Sequence, residues 1–219
     1  MADPSAIVQS PDRLTRSVWV AVDPQDLVTG RRVTAPLRVR VEGQVARPVA
    51  ALSGVYCFND LNLAPDTYTV QVEPITGNRG DYFLATKPLN LTAVPVPGTP
   101  LLRNPITIQL LPRPSYPFGD GATLARGRLV KASDGKAAEG ALVKLFIGVS
   151  DEGVRTQTDE RGEFAVLFPT PAPAASGGPK TFNFTLRFIL APHPDHDTGA
   201  QQVVEGKTKG LGEIQFPGI

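Results

Sequence analysis

Thr156-Gln157-Thr158-Asp159-Glu160-Arg161-Gly162-Glu163-Phe164-Ala165-Val166-Leu167-Phe168 decides how this 219-residue chain is read. Asp159 to Gly162 reads as a tight turn, because aspartate favours turn starts and glycine takes φ > 0 without a Cβ penalty. Gly162 to Phe168 then reads as a strand, with Phe164 pointing inward as a core anchor. Upstream, Ala125 to Val130 and Leu142 to Ile147 have the same strand character, and Thr181 to Leu190, Gln202-Val203-Val204 and Gly212 to Phe216 continue it downstream. Small Gly140-Ala141 lets the strand that follows enter beside a partner sheet. In the first half, Ser17 to Asp23 reads as a strand ending at an Asp23-Pro24 turn. Leu37-Arg38-Val39-Arg40-Val41 alternates apolar and charged residues with period two, as a strand with one wet face does. Thr67 to Val72 and Pro105 to Leu110 repeat that alternation. No long amphipathic helix is expected; Asp134 to Glu139 has room for one short turn. With 22 prolines and 21 glycines punctuating these segments, the chain is expected to be all-β.

A break lies at the midpoint. Pro112-Arg113-Pro114-Ser115-Tyr116-Pro117-Phe118-Gly119-Asp120-Gly121 has too many prolines for a sheet interior, since proline removes a ladder donor and fixes φ. It is expected to be an extended, semi-rigid linker. The halves on either side echo one another: Leu37 to Val41 matches Leu142 to Phe146 at an offset of 105. Gly54-Val55-Tyr56 matches Gly162-Glu163-Phe164, Tyr68 to Pro74 matches Phe184 to Pro192, and Ile108-Gln109-Leu110 matches Ile214-Gln215-Phe216. That spacing has the scale of a domain duplication.

Arg126-Gly127-Arg128-Leu129-Val130, Asp134-Gly135-Lys136, Gly140-Ala141-Leu142-Val143-Lys144-Leu145 and Thr158-Asp159-Glu160-Arg161-Gly162-Glu163-Phe164 follow one another in the second half. Together they resemble the carboxypeptidase regulatory-like, or transthyretin-like (prealbumin-like), β-sandwich family. In the first half, Gly54-Val55-Tyr56-Cys57-Phe58-Asn59-Asp60-Leu61 and Thr67 to Val72 resemble it more loosely, with Asp66 where the family has glycine. The resemblance implies two tandem prealbumin-like (Ig-like) β-sandwich domains. Their expected limits are 1–111, with residues 1–12 as an arm, a 112–122 linker, and 123–219.

Enzymes related to this family set tests that the residues do not meet. Zinc carboxypeptidases need a separate domain with a His-Xaa-Xaa-Glu pair and a further ligand, and the histidines here are His193 and His196 alone. Hydroxyisourate hydrolases end in Tyr-Arg-Gly-Ser; this chain ends Phe216-Pro217-Gly218-Ile219. Intradiol dioxygenases bind iron through two tyrosines and two histidines, and from the linker onward Tyr116 stands alone, so this class is a remote alternative. Gram-positive pilin sandwiches join Lys to Asn beside a buried acid, for which Lys131, Asn183 and Glu163 have the residue types. The expectation is a non-catalytic structural or protein-binding chain without cofactors, an accessory component of a phage-tail-like, secretion or surface assembly. The competing reading is a small-ligand or carbohydrate-binding module, to which Trp19, Tyr68, Tyr82 and Phe83 would contribute.

Two candidate sites follow. His193-Pro194-Asp195-His196-Asp197 packs His193, Asp195, His196 and Asp197 into one loop that could hold a divalent cation, or else forms a solvated turn. Trp19, as a partner-facing aromatic or a core residue, and Leu37, Val39 and Val41, on a strand whose edge could accept another strand, are the candidates for partner contact. Ser150-Asp151-Glu152-Gly153 reads as a hairpin turn, and Cys57, the single cysteine, as an inert buried thiol. The 22 Lys and Arg against 21 Asp and Glu form no single-sign run, so nucleic-acid partners are not expected, whereas other protein subunits are. No apolar run reaches bilayer length, so no membrane insertion is expected. Met1-Ala2-Asp3-Pro4-Ser5 lacks a basic region before an apolar stretch. The expected place of synthesis is therefore the cytoplasm, with later release in a particle left open.

Overall fold

The computed structural model describes residues 20–59, 61, 66–75, 80–90, 105–169 and 178–217, and among these the regular structure is all strand. The first half contains β1 (Val20–Asp26), β2 (Leu37–Val41), β3 (Val49–Ala50), β4 (Tyr56–Phe58), β5 (Thr67–Pro74), β6 (Ala85–Asn90) and β7 (Ile106–Leu110). The second contains β8 (Leu124–Lys131), β9 (Leu142–Ile147), β10 (Ser150–Gln157), β11 (Glu163–Leu167), β12 (Thr181–Ile189), β13 (His196–Asp197), β14 (Gln201–Val204) and β15 (Thr208–Phe216).

Each half is a β-sandwich. Sheets ordered β3-β4-β1-β7 and β2-β5-β6 enclose one apolar cluster, built from Val20, Val22, Phe58 and Leu110 on one side and Val39, Val41, Val70 and Val72 on the other. In the second half, β11-β8-β15 faces β10-β9-β12, with β13 and β14 both pairing β12. Between them lie Leu129, Phe164 and Phe216 against Val143, Leu145, Leu186 and Phe188. Alternation along strands such as β2, β5 and β12 sends every second side chain inward, which is why short segments suffice to build both cores.

The pairing scheme of the first half recurs in the second. β1 is antiparallel to β4 and parallel to β7; β8 is antiparallel to β11 and parallel to β15. β5 is antiparallel to β2 and β6, as β12 is to β9 and β14. The register differs by one residue from the expected offset. Val39 and Val41 are buried, and their counterparts by burial and pairing are Val143 and Leu145 rather than Lys144 and Phe146. A one-residue slip exchanges the two faces of a strand, so burial phase outranks sequence spacing.

The midpoint does not hang free. Backbone bonds from Phe83 to Leu111 (3.0 Å) and from Arg113 to Asp81 (2.8 Å) extend the ladder past β7, so Pro112 pairs with Tyr82 instead of leaving the sheet. Arg113 is buried, its guanidinium 4.6 Å over the Phe83 ring and 3.2 Å from Glu160. Thr156 Oγ1 donates to the Pro112 carbonyl (2.6 Å), and Arg126 donates to that of Pro114 (3.0 Å). Tyr116 packs on the first cluster and donates its hydroxyl to Asp26 Oδ2 at 2.7 Å. Side chains from both halves thus clamp one short segment.

Burial, followed by the hydrogen bond to Asp26, pushes the Tyr116 phenol up to about 12; burial and the Asp26 charge also raise that of Tyr82. An unfolded phenol ionises near ~10, so between about 10 and 12 the unfolded chain binds fewer protons. The stability held by these neutral phenols is complete below pH ~10 and is lost as pH rises towards ~12. An alkaline absorbance titration is expected to show a delayed ionisation coincident with unfolding, reduced in amplitude by Tyr116→Phe. Full ionisation near ~10 with the fold intact would show that the phenols are not held in this way.

Other expectations change. Strand β1 runs through Asp23-Pro24 to Asp26, because the Pro24 carbonyl accepts from Val33 N (3.0 Å) and β7 pairs alongside. Ser150 to Gly153 is no hairpin turn: β10 begins at Ser150, the turn lies at Gly148-Val149, and Asp151 to Val154 carries a bulge. Asp134 to Glu139 is non-helical, with Ala137 bridging Val130. Cys57 is half-buried in β4 rather than buried. Trp19 and residues 1–12 lie outside the described residues.

Candidate interaction site

Strand β2 is the outer strand of its sheet, pairing β5 on one side. Its alternation turns Leu37, Val39 and Val41 into the core, 5%, 4% and 1% exposed, so their side chains are not partner-facing as proposed from the sequence. Burial of an apolar face is what holds the strand in register. What remains for contact is its backbone edge and its wet face. Glu42 N bonds Thr69 O (2.9 Å) directly across the ladder and Ile75 N bonds Pro36 O (3.3 Å), so even-numbered residues carry the bonds to β5. Odd-numbered residues direct their amides and carbonyls away from β5. Leu37 N donates to the Tyr56 hydroxyl (3.3 Å) and Val41 O accepts from Gln44 N (3.1 Å). By the same parity the amide and carbonyl of Val39 face away from β5, on a side that no strand covers among the described residues.

Beside this edge lies a groove of about 550 Å³, lined by β2, the segment from Gln44 to Pro48, Tyr56 and Ile75. That volume falls within the ~300–1,000 Å³ of ordinary ligand clefts. Val45 (96% exposed) and Ile75 (55%) give it an apolar rim. Arg38, Arg40 and Arg47 make it cationic: Arg38 and Arg40 stand 3.3 and 3.8 Å from the same carboxylate, Glu73. The arginines were not singled out in the sequence, although the Leu-Arg-Val-Arg-Val alternation already placed two of them on one wet face.

The proposed metal loop is occupied by other contacts. The His193 and His196 rings lie edge-on to buried Phe216, at 6.4 and 6.0 Å between centroids. Asp197 binds the Arg187 guanidinium with both oxygens (2.7 and 2.8 Å), which lowers its carboxyl below the usual range. Asp195 is exposed, and no group of three or more metal-ligating side chains is present among the described residues. Lys131, Glu163 and Asn183 are not assembled either. Lys131 pairs with Phe216, Glu163 binds Arg161 at 3.3 Å, and exposed Asn183 accepts from Gln202 at 2.8 Å. Of the aromatics considered for a ligand face, Tyr82 and Phe83 are buried at the midpoint junction and Tyr68 is half-buried.

No protein-family model matches the chain, and no curated protein matches it. Among solved structures, the Bacillus anthracis TIE protein is 15% identical at a TM-score of 0.27, over 92% of this chain and 33% of that one. The chain therefore spans a third of that protein's length. The shaft pilin SpaA from Lactobacillus rhamnosus GG is 11% identical at a TM-score of 0.28, over 94% of this chain and 99% of that one. No helix among the described residues is long and apolar enough to cross a membrane.

Proposed function

We propose that the chain is a non-catalytic architectural component of a larger assembly. In this reading two prealbumin-like domains, 1–111 and 123–219, are held at a set angle by residues 112–122 and present a strand edge to other protein subunits. The clamped midpoint carries the proposal. Arg113 between Phe83 and Glu160, Tyr116 on Asp26, and Thr156 on Pro112 tie the segment to both halves. A hinge that served domain motion would leave such a segment in solvent, since relative motion is the default unless an interface restrains it. The recurring pairing scheme supports the division into two related units.

Small-angle scattering tests the rigidity. The wild-type chain is expected to scatter as one fixed body, and Arg113→Ala/Tyr116→Ala to scatter as two bodies in varied orientation while both cores stay folded by circular dichroism. A wild-type chain that already scatters as a flexible pair, or one recovered from its native source solely as a monomer, would remove the basis for an architectural role.

A further inference from the structure

The second half closes, with its own chain, the edge that the first half leaves open. β9 stands in its sandwich where β2 stands in the first. β10 runs along the outer side of β9, whereas β2 has no strand on its outer side among the described residues. Lys144 occupies the position on β9 that Arg40 occupies on β2, and it holds Asp151 of β10 at 2.6 Å. Val154 and Thr156 of β10 are half-buried and buried. The covering strand thus offers a carboxylate to the basic wet face and, opposite Val143, buried Thr156 to the interior.

We infer that the β2 edge docks an extended acidic segment of a partner protein, added to the sheet as a further strand with its carboxylates over Arg38 and Arg40. This rests on the architectural reading above and names the chemistry of the contact. Val39 is 4% exposed, and its amide and carbonyl point away from β5 to the side that no strand covers among the described residues. Native structures rarely keep buried backbone groups unpaired, and an added strand supplies both bonds. The charge points the same way: Arg38 and Arg40 share Glu73, and Arg47 has no ion pair among the described residues. A segment bearing acidic side chains on alternate positions completes that balance and is steered to the groove by it.

The test uses the full chain and a synthetic peptide of about eight residues alternating valine with glutamate, with a control peptide carrying lysine in place of each glutamate. Binding is followed by amide chemical shifts and hydrogen exchange. The acidic peptide is expected to shift the Leu37, Val39 and Val41 amides and to slow exchange at Val39. Its affinity is expected to fall about tenfold or more in Arg38→Glu/Arg40→Glu, which takes up the lysine peptide instead. Shifts confined to another surface, affinity indifferent to the charge reversal, a Val39 amide already protected in the free chain, or occupation of the edge by a second copy would each overturn the inference. A peptide that fails while the scattering stays that of one fixed body removes the docking site alone. A flexing wild-type chain removes the architectural reading beneath it.

Discussion

Gly162→Ala is expected to destabilise the second sandwich by ~3–5 kcal/mol, a large share of the ~5–15 kcal/mol that holds an ordinary domain folded. Gly162 has φ +75, and a Cβ there would lie 2.2 Å from the Leu129 carbonyl oxygen, inside van der Waals contact. That carbonyl cannot yield cheaply. It accepts from Ala138 N (3.0 Å), while Leu129 N donates to Gly162 O (2.8 Å), so the turn, β8 and the 137–138 segment meet at one point. Gly135→Ala is the control. It has φ +70 but nothing within 4 Å of its Cβ, so it carries the left-handed penalty alone, ~1–2 kcal/mol. Denaturant unfolding of both variants, with hydrogen exchange in β8 and β11, separates clash from strain. Equal losses in the two would mean that the turn shifts to admit a methyl group.

Thr158→Val is expected to cost ~2–4 kcal/mol with almost no change in side-chain volume. Thr158 is fully buried, and its Oγ1 accepts from Ala141 N (2.9 Å) and donates to the Ala138 carbonyl (2.6 Å). Ala138 and Ala141 are themselves fully buried, so water has no access to replace either bond. Valine leaves a donor and an acceptor stranded, which is the expensive way to lose a hydrogen bond. Exposed Thr181→Val should stay within about 0.5 kcal/mol. The same melting experiment reads both, and a Thr158→Val loss as small as that of the surface variant would show that the 138–141 backbone finds other partners.

Both positions lie in the segment from which the fold was read, and they mark where such reading stops. Gly162 was legible because a turn before an apolar run demands positive φ. Thr158 was legible only as a motif letter: that its hydroxyl ties two backbone segments together depends on residues 17 and 20 positions away. Arg113 and Tyr116 looked like ordinary linker residues, since nothing local tells that Phe83, Glu160 and Asp26 converge on them. In β2 the alternation gave the burial of Leu37, Val39 and Val41 correctly in kind, yet turned the intended contact residues into core. Asp197 shows the reverse, a polar loop residue whose apparent availability ended with Arg187.

Period-two patterning, turn glycines and prolines were enough to mark the chain as all-β and to place many of its strands, because these follow from steric preferences of neighbouring residues and from burying alternate side chains. Tertiary structure alone decided which edge stays uncovered, how the midpoint is clamped, and the register that distinguishes Val143 from Lys144. Those outcomes depend on contacts between residues far apart in the chain, whose energies no local pattern carries.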